Sequence, residues 1–389
     1  MSGRDLFCQP RRFGRGAALT LVFASVLVAG AATGSLPGPD RKTTPGTPRS
    51  SASAARPQEV TEAAAEAMAV GKSPMEAAER AVSRSGDRWD AVYSPGEFEE
   101  FEESLDGEYT GVGLWTRGER DGRIEVTKVS AGSPAATAGI RAGDRLRSVD
   151  GARVEGRPVT EVVSLLRGDA TDAAAGTTVR LGLERGTHAW SLTLRRARLS
   201  TDSVTVRNLA DRVTVITIDA FTKGAGDVVR DAVRQAPAGT GIVLDLRGNS
   251  GGFVTEAVTA ASAFLDGGLV ATYDVDGTEH ALHAEAGGDT TRPLVALVDG
   301  GTMSAAELLT GALQDRGRAV VVGSRTFGKG SVQMPTRLPD GSVAELTVGH
   351  YRTPSGRGVD GKGITPDLEA DTGALKQAET VLSGLGDAS

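Results

Sequence analysis

The chain has 389 residues, 52 of them glycine, with 39% hydrophobic residues and a formal net charge of −7. That length exceeds one average core and predicts two or three domains, while the glycine content suits a loop-rich globular protein rather than a membrane bundle. The acidic balance removes any electrostatic reason to expect nucleic-acid binding, and the only cysteine, Cys8, stands too early in the chain to serve as a nucleophile in the globular part.

Arg4, Arg11, Arg12 and Arg15 precede residues 17–32 (AALTLVFASVLVAGAA), an uncharged apolar run closing on small residues. A basic start, an apolar middle and small residues fit a secretory signal over 1–34, and extension of the apolar run to Leu36 would allow a signal anchor. Export is expected, to a secreted form or one anchored to the outer face of the cell membrane. No cysteine follows the run, which disfavours a lipoprotein anchor. Residues 35–58, rich in Pro, Ser and Thr, read as a disordered linker. Residues 59–109 read as an N-terminal helical region: alanine-rich helical periodicity over 59–83, then aromatics alternating with acids over 89–104. A helical cap and an oligomerisation arm are both open readings of it.

Residues 110–199 begin with the glycine-rich TGVGL (110–114) and continue with an alternating run at 124–129 and the turn-helix GSPAATAGI (132–140). A helix over 159–166 and a strand pair at 179–183 and 190–194 complete the stretch. It resembles a PDZ domain. Such a module suits a peptide tail, because a sheet edge can add an extended strand while loop N–H groups capture the terminal carboxylate. Gly111, Val112, Gly113 and Leu114 are placed at that loop. His188 falls in the hairpin of this module.

Residues 200–373 form the core. A buried strand at 241–246 (GIVLDL) ends in Arg247-Gly248-Asn249-Ser250-Gly251-Gly252, and a helical pattern resumes over 254–264. A glycine pair at the carboxyl end of a strand exposes backbone N–H groups, so Gly251 or Gly252 is a candidate oxyanion donor; a tight turn needing glycine is the other reading. A second strand at 293–298 (PLVALV) turns through 299–302 into a helix over 305–313, placing Ser304 at a strand-to-helix turn. Ser304 is there either a helix N-cap or a nucleophile, with the Ala305 N–H as a further oxyanion donor.

A serine nucleophile needs a base. After a strand at 318–324, Lys329 stands between Gly328 and Gly330, next to Phe327. To act near neutral pH it must lose about three units from the free value, which burial can produce. Gln333 is the candidate to orient its amine. Residues four apart in a strand lie roughly 13 Å apart, so a bend at Gly330 is required.

His280 and His283 lie in a polar region with Glu285 and Asp289 nearby, but no metal motif is complete. His350, on a strand over 343–351, is the alternative base. Glu307 stands three residues after Ser304, where S-x-x-K chemistry would require lysine, so a β-lactamase-type site is excluded. No metal or organic cofactor is expected. Residues 374–389 are left as a C-terminal tail.

The ordered blocks TGVGL, GSPAATAGIRAGD (132–144), DLRGNSGG (245–252), MSAAE (303–307), GALQDRGRAVVVG (311–323), TFGKGSVQ (326–333), YRTPSGR (351–357) and GITPD (363–367) resemble the C-terminal processing peptidases, tail-specific serine proteases of the S41 class. The resemblance runs over residues 60–370. It implies a ClpP/crotonase-like α/β protease core with an inserted β-rich PDZ domain and an N-terminal helical segment. It further implies an exported serine endopeptidase with a Ser304/Lys329 dyad assisted by Gln333, acting on proteins that present C-terminal tails, with oligomer formation possible. Two departures stand out: Met303 replaces a second small residue, and Gly301-Thr302 replaces a more usual serine-rich lead-in. The rival functions are a catalytically silent PDZ scaffold that binds peptides, and crotonase-like acyl-CoA chemistry, which leaves the PDZ-like module unexplained.

Overall fold

The computed structural model describes residues 57–386 apart from 120, 169–174, 210–212, 276 and 371–372. The expected leader and the linker up to residue 56 lie outside the described residues. Contacts divide the chain into two compact units, one formed by Thr110–Leu199 and the other by the residues on either side of it.

The N-terminal region is a helix pair rather than one helical stretch. Gly71, at φ 70°, ends the alanine-rich run between α1 (Pro57–Ala69) and α2 (Pro74–Ser85). Ser73 caps α2 by accepting the Glu76 N–H at 3.2 Å, with Pro74 at the first helical position. A short strand β1 (Ala91–Tyr93) follows, then α3 (Pro95–Leu105), opened by the Ser94/Glu97 capping box. Val60, Ala64, Ala78 and Val82 pack on Leu338, Ala344 and Leu346, and Phe98, Phe101 and Leu105 pack on Val343. The region is thus built into the core as a cap.

Two short strands, β2 (Glu108–Gly111) and β9 (Ala197–Ser200), pair with each other where the chain enters and leaves the first unit. Between them lie β3 (Leu114–Gly118), β4 (Ile124–Val129), α4 (Pro134–Thr137), β5 (Arg145–Val149), β6 (Ala152–Arg153), α5 (Val159–Arg167), β7 (Thr178–Arg185) and β8 (His188–Arg195). The sheet order is β3-β4-β5-β7-β8, so β3 is an edge. Alternation in β7 turns Val179, Leu181 and Leu183 inward against Ile124, Val126, Leu146 and Val162.

The second unit contains two sheets. In the first, β10 (Val204–Leu209) runs antiparallel to β11 (Val213–Ile218). Parallel pairing then continues through β12 (Gly241–Asp245), β15 (Leu294–Val298), β16 (Val320–Gly323) and β19 (Leu368–Glu369). Parallel strands covered on both faces carry near-continuous apolar runs, and every residue of β12 and β15 is buried. Ile242, Leu244, Leu294 and Ala296 face α6 (Ala225–Gln235), α7 (Val254–Ser262) and α8 (Ala305–Asp315) through Val229, Ala257, Leu308 and Leu309. Val243, Val295 and Leu297 face Ala374, Ala378 and Leu382 of α9 (Ala374–Gly386). The stretch expected as a tail is therefore a helix that seals the sheet.

The other sheet is antiparallel: β1-β18-β13-β14, with β17 (Ser331–Arg337) also paired to β18 (Val343–Arg352). Its remaining strands are β13 (Leu269–Val275) and β14 (Thr278–His283), so His280 and His283 lie on a strand, where Tyr273 stacks on His280 at 5.1 Å. This sheet corrects the expectation of a ClpP/crotonase-like core. That label came with the family resemblance. Gln333 lies on the second sheet, Lys329 stands in the loop that leads into it, and the N-terminal cap completes it through β1.

Candidate active site

Two turns at the carboxyl ends of adjacent parallel strands are bonded to each other. The Asp299 carboxylate accepts the Gly248 and Gly301 N–H groups at 2.9 Å each, the Thr302 hydroxyl donates to the Leu246 carbonyl at 2.9 Å, and the Met303 N–H donates to the Asn249 carbonyl at 2.8 Å. Asn249 is fully buried; its amide donates to the Ile218 carbonyl and its oxygen accepts the Gly251 N–H, both at 2.8 Å. The glycine pair is required by space. A Cβ on Gly252 would stand 2.4 Å from the Phe221 carbonyl oxygen, and one on Gly251 would stand 3.0 Å from the Ser304 Cβ. Gly251 therefore packs directly beside Ser304, but its own N–H is committed to Asn249.

Ser304 is wholly buried and has φ 59° and ψ −116°, a conformation that costs a non-glycine residue of order 1–3 kcal/mol. The surroundings hold it there. Its N–H donates to Glu307 Oε2 at 2.9 Å, and its carbonyl accepts the Tyr351 hydroxyl at 3.1 Å.

Glu307 is the residue that sequence reasoning passed over. It is fully buried, and its two oxygens accept four donors. Oε2 takes the Ser304 N–H and the Lys329 N–H, at 2.9 and 2.8 Å; Oε1 takes the Gly328 N–H at 2.7 Å and the Thr326 hydroxyl at 2.5 Å. One carboxylate oxygen thus joins the peptide of Ser304 to that of Lys329. Burial raises the Glu307 pKa, and the four donors pull against it.

Lys329 is 1% exposed. Burial lowers its pKa to about 8, opposed by the negative charges of Glu345, Asp87 and Glu307. Glu345, itself fully buried on β18, is pushed upward by burial and held down by Lys329. The Lys329 ammonium lies over the Trp89 ring, 4.9 Å from its centroid, and the same ring meets Phe327 at 5.8 Å. Gly330 is required by space: a Cβ there would meet the Asp360 backbone nitrogen at 2.5 Å. Both Val332 and Gln333 are buried, and the β17–β18 register shifts between them, with the extra residue, Val348, on β18. The Gln333 amide, however, donates to the Trp89 carbonyl and not to the lysine. His350 is half exposed, 3.9 Å from Asp360.

Beside these groups lies a small apolar cavity lined chiefly by Val254, Ala305, Leu308, Val332 and Tyr351. In the other unit, Val112 is buried in the core and its carbonyl accepts the Ala135 N–H at 3.0 Å, while a Cβ on Gly113 would collide with Ser133. Leu114 opens the edge strand β3. Among the described residues no group of three His, Cys, Asp or Glu side chains could hold a metal ion.

The sequence model of peptidase family S41 matches residues 212–370, and that of the PDZ domain matches residues 125–185. The carboxy-terminal processing protease CtpA of Bacillus subtilis (strain 168) is 33% identical over 276 residues, which cover 70% of this chain and 58% of that protein. A probable CtpA-like serine protease of Staphylococcus haemolyticus (strain JCSC1435) is 35% identical over 279 residues, 70% of this chain and 55% of the relative. The chain thus spans little more than half the length of these relatives. Among solved structures, a photosystem II D1 C-terminal processing protease aligns over 80% of this chain and 86% of its own, at 29% identity and a TM-score of 0.51. A putative S41 protease from Bacteroides fragilis aligns over 82% and 90%, at 18% identity and a TM-score of 0.52, and bears on the fold alone. The core has the fold of these proteases, with a β-rich PDZ insertion, in place of a ClpP/crotonase-like core.

Proposed function

Because the chain belongs to peptidase family S41 and carries a PDZ domain, we propose that it is a serine endopeptidase that cleaves proteins recognised through their C-terminal tails. The observation that carries this reading is the Glu307 carboxylate, which fixes the strained Ser304 and the buried Lys329 to one oxygen atom. In the proposed cycle, neutral Lys329 takes the Ser304 hydroxyl proton as the oxygen attacks the substrate carbonyl. The Ala305 and Gly252 N–H groups receive the oxyanion, a donor of this kind being worth roughly 3 kcal/mol. Lys329 then passes its proton to the leaving amine, and water repeats the sequence on the acyl-enzyme. Gln333 supports the lysine through the shared Trp89 contact.

The base assignment makes a pH prediction. A lysine with a pKa near 8 is about one-tenth neutral at pH 7 and half neutral at pH 8. The rate of cleavage of an unfolded protein such as casein should therefore climb from pH 6 to 8 and level off above pH 9. Lys329→Ala should be inactive throughout. A flat profile down to pH 5, or an active Lys329→Ala protein, would remove the lysine from this role.

Tail recognition is assigned to the first unit. The edge of β3 beside α5 is where an extended tail would add as a strand, with Gly111, Val112, Gly113 and Leu114 turning N–H groups to its carboxylate. Amidating the C-terminus of a peptide substrate should raise KM about tenfold or more; equal KM values for the free and amidated forms would count against the loop. The apolar run after the basic start supports export, to a secreted or membrane-anchored form.

A further inference from the structure

Trp89 stands on the turn between α2 and β1, some 240 positions before the lysine, yet it touches both Lys329 and Gln333. Its ring centroid is 4.9 Å from the Lys329 ammonium, and its carbonyl accepts the Gln333 side-chain amide. The indole N–H is buried and has no hydrogen-bond partner, although a buried tryptophan ordinarily finds one. The ring is therefore placed for its face and not for its polar edge. The turn that carries it is itself pinned: the Trp89 N–H donates to Asp87 at 2.8 Å, and the Thr347 N–H of β18 donates to Asp90 at 2.7 Å.

We propose that Trp89 is a positioning residue of the lysine base, its ring holding the Lys329 ammonium while its carbonyl holds the Gln333 amide. This deepens the serine-peptidase reading and rests on it. The two residues expected to cooperate are thereby coupled through a third, contributed by the N-terminal cap, and the cap becomes part of the catalytic apparatus. The electron-rich ring face favours the charged amine. It acts in the same direction as the carboxylates facing Lys329, which are Glu345 from β18, Asp87 from the turn and Glu307 from α8, and against burial. Asp90 and the Tyr93 hydroxyl, 3.4 Å from Glu345, adjust that carboxylate in turn. Arg88 shares the ring, its guanidinium carbon 4.5 Å from the centroid, and opposes the lysine charge.

The sign of the test follows. Removing the ring face while keeping apolar bulk destabilises the ammonium, lowers the lysine pKa and moves the acid limb of the kcat/KM profile to lower pH. In the full chain, Trp89→Leu should shift that limb down by about half a pH unit, whereas Trp89→Phe, which keeps a ring, should stay near wild type. Glu345→Gln, which removes a facing charge, should shift it in the same direction and shows that the limb reports on Lys329. A Trp89→Leu profile superimposed on wild type while Glu345→Gln shifts would overturn the proposal, as would equal shifts in the Phe and Leu variants. Should Trp89→Leu fail to fold, Trp89→Met carries the same comparison. If the wild-type protein hydrolyses nothing, the peptidase reading fails separately; NMR titration of the Lys329 side chain in Ser304→Ala, with and without Trp89→Leu, still decides the role of the ring.

Discussion

Ser304→Ala is expected to abolish peptide-bond hydrolysis, with kcat/KM falling by about 10⁴-fold or more, while the protein remains folded. The first half follows from chemistry: the acyl-enzyme needs a nucleophile, and the chain's only thiol, Cys8, falls in the segment expected as a leader. The second half follows from how the position is held. Its conformation is fixed by the Glu307 carboxylate on its N–H and by the Tyr351 hydroxyl on its carbonyl, both of which alanine retains. Alanine suffers the same backbone strain at φ 59° as serine does. Thermal unfolding should therefore change little while casein cleavage disappears. An alanine variant that still cleaves would leave the peptidase reading without its nucleophile, and equal inactivity of both proteins would favour the silent scaffold.

The second large effect is expected at Glu307. Its carboxylate accepts from Ser304, Thr326, Gly328 and Lys329. Glu307→Gln keeps the size but turns an NH₂ group towards two of the donors, leaving buried N–H or O–H groups unpaired. Each such group costs about 1–3 kcal/mol, so a loss of about 3 kcal/mol or more in unfolding free energy is expected. Because Ser304 and Lys329 lose their common anchor, kcat should fall about 10²-fold, the scale of a 1 Å misplacement, with KM changing much less. Denaturant unfolding and steady-state kinetics on the same preparation check both. Wild-type kcat in a variant destabilised by 3 kcal/mol would show that the carboxylate only holds the fold.

The parts of the molecule legible in the sequence are those with local causes. β12, β15, α7 and α8 announce themselves because an apolar run, a glycine turn and a helical pattern follow one another within a dozen residues. Ser304 and Lys329 stand out from the glycines around them. Glu307 was visible only as the wrong residue for another chemistry, since its partners Gly328 and Lys329 lie about twenty positions away, in the loop after β16. Trp89 lies further still from the lysine. Gln333 was assigned to the amine because spacing alone does not reveal a bulge or a competing carbonyl. The helix α9 did leave a signal, apolar residues at 374, 378 and 382 at helical spacing, which a cutoff at residue 373 discarded. The ClpP/crotonase-like label came with the family resemblance and is overturned by the likeness to the solved S41 proteases; strand order alone does not say that β1 and β18 will lie side by side.

The irregular pairing of β17 with β18 has a bearing on how this chain can vary. Val332 stands opposite Gly349 and Gln333 opposite Thr347, so the extra residue, Val348, belongs to β18. Alternation along β17 is kept: Val332 enters the main core, while the Gln333 side chain reaches Trp89 of the N-terminal cap. A deletion or insertion of one residue between Gly330 and Gln333 would exchange these two faces. Gln333 would then leave Trp89 without any change in its identity, so the number of residues between Lys329 and Gln333 is constrained as tightly as their kind.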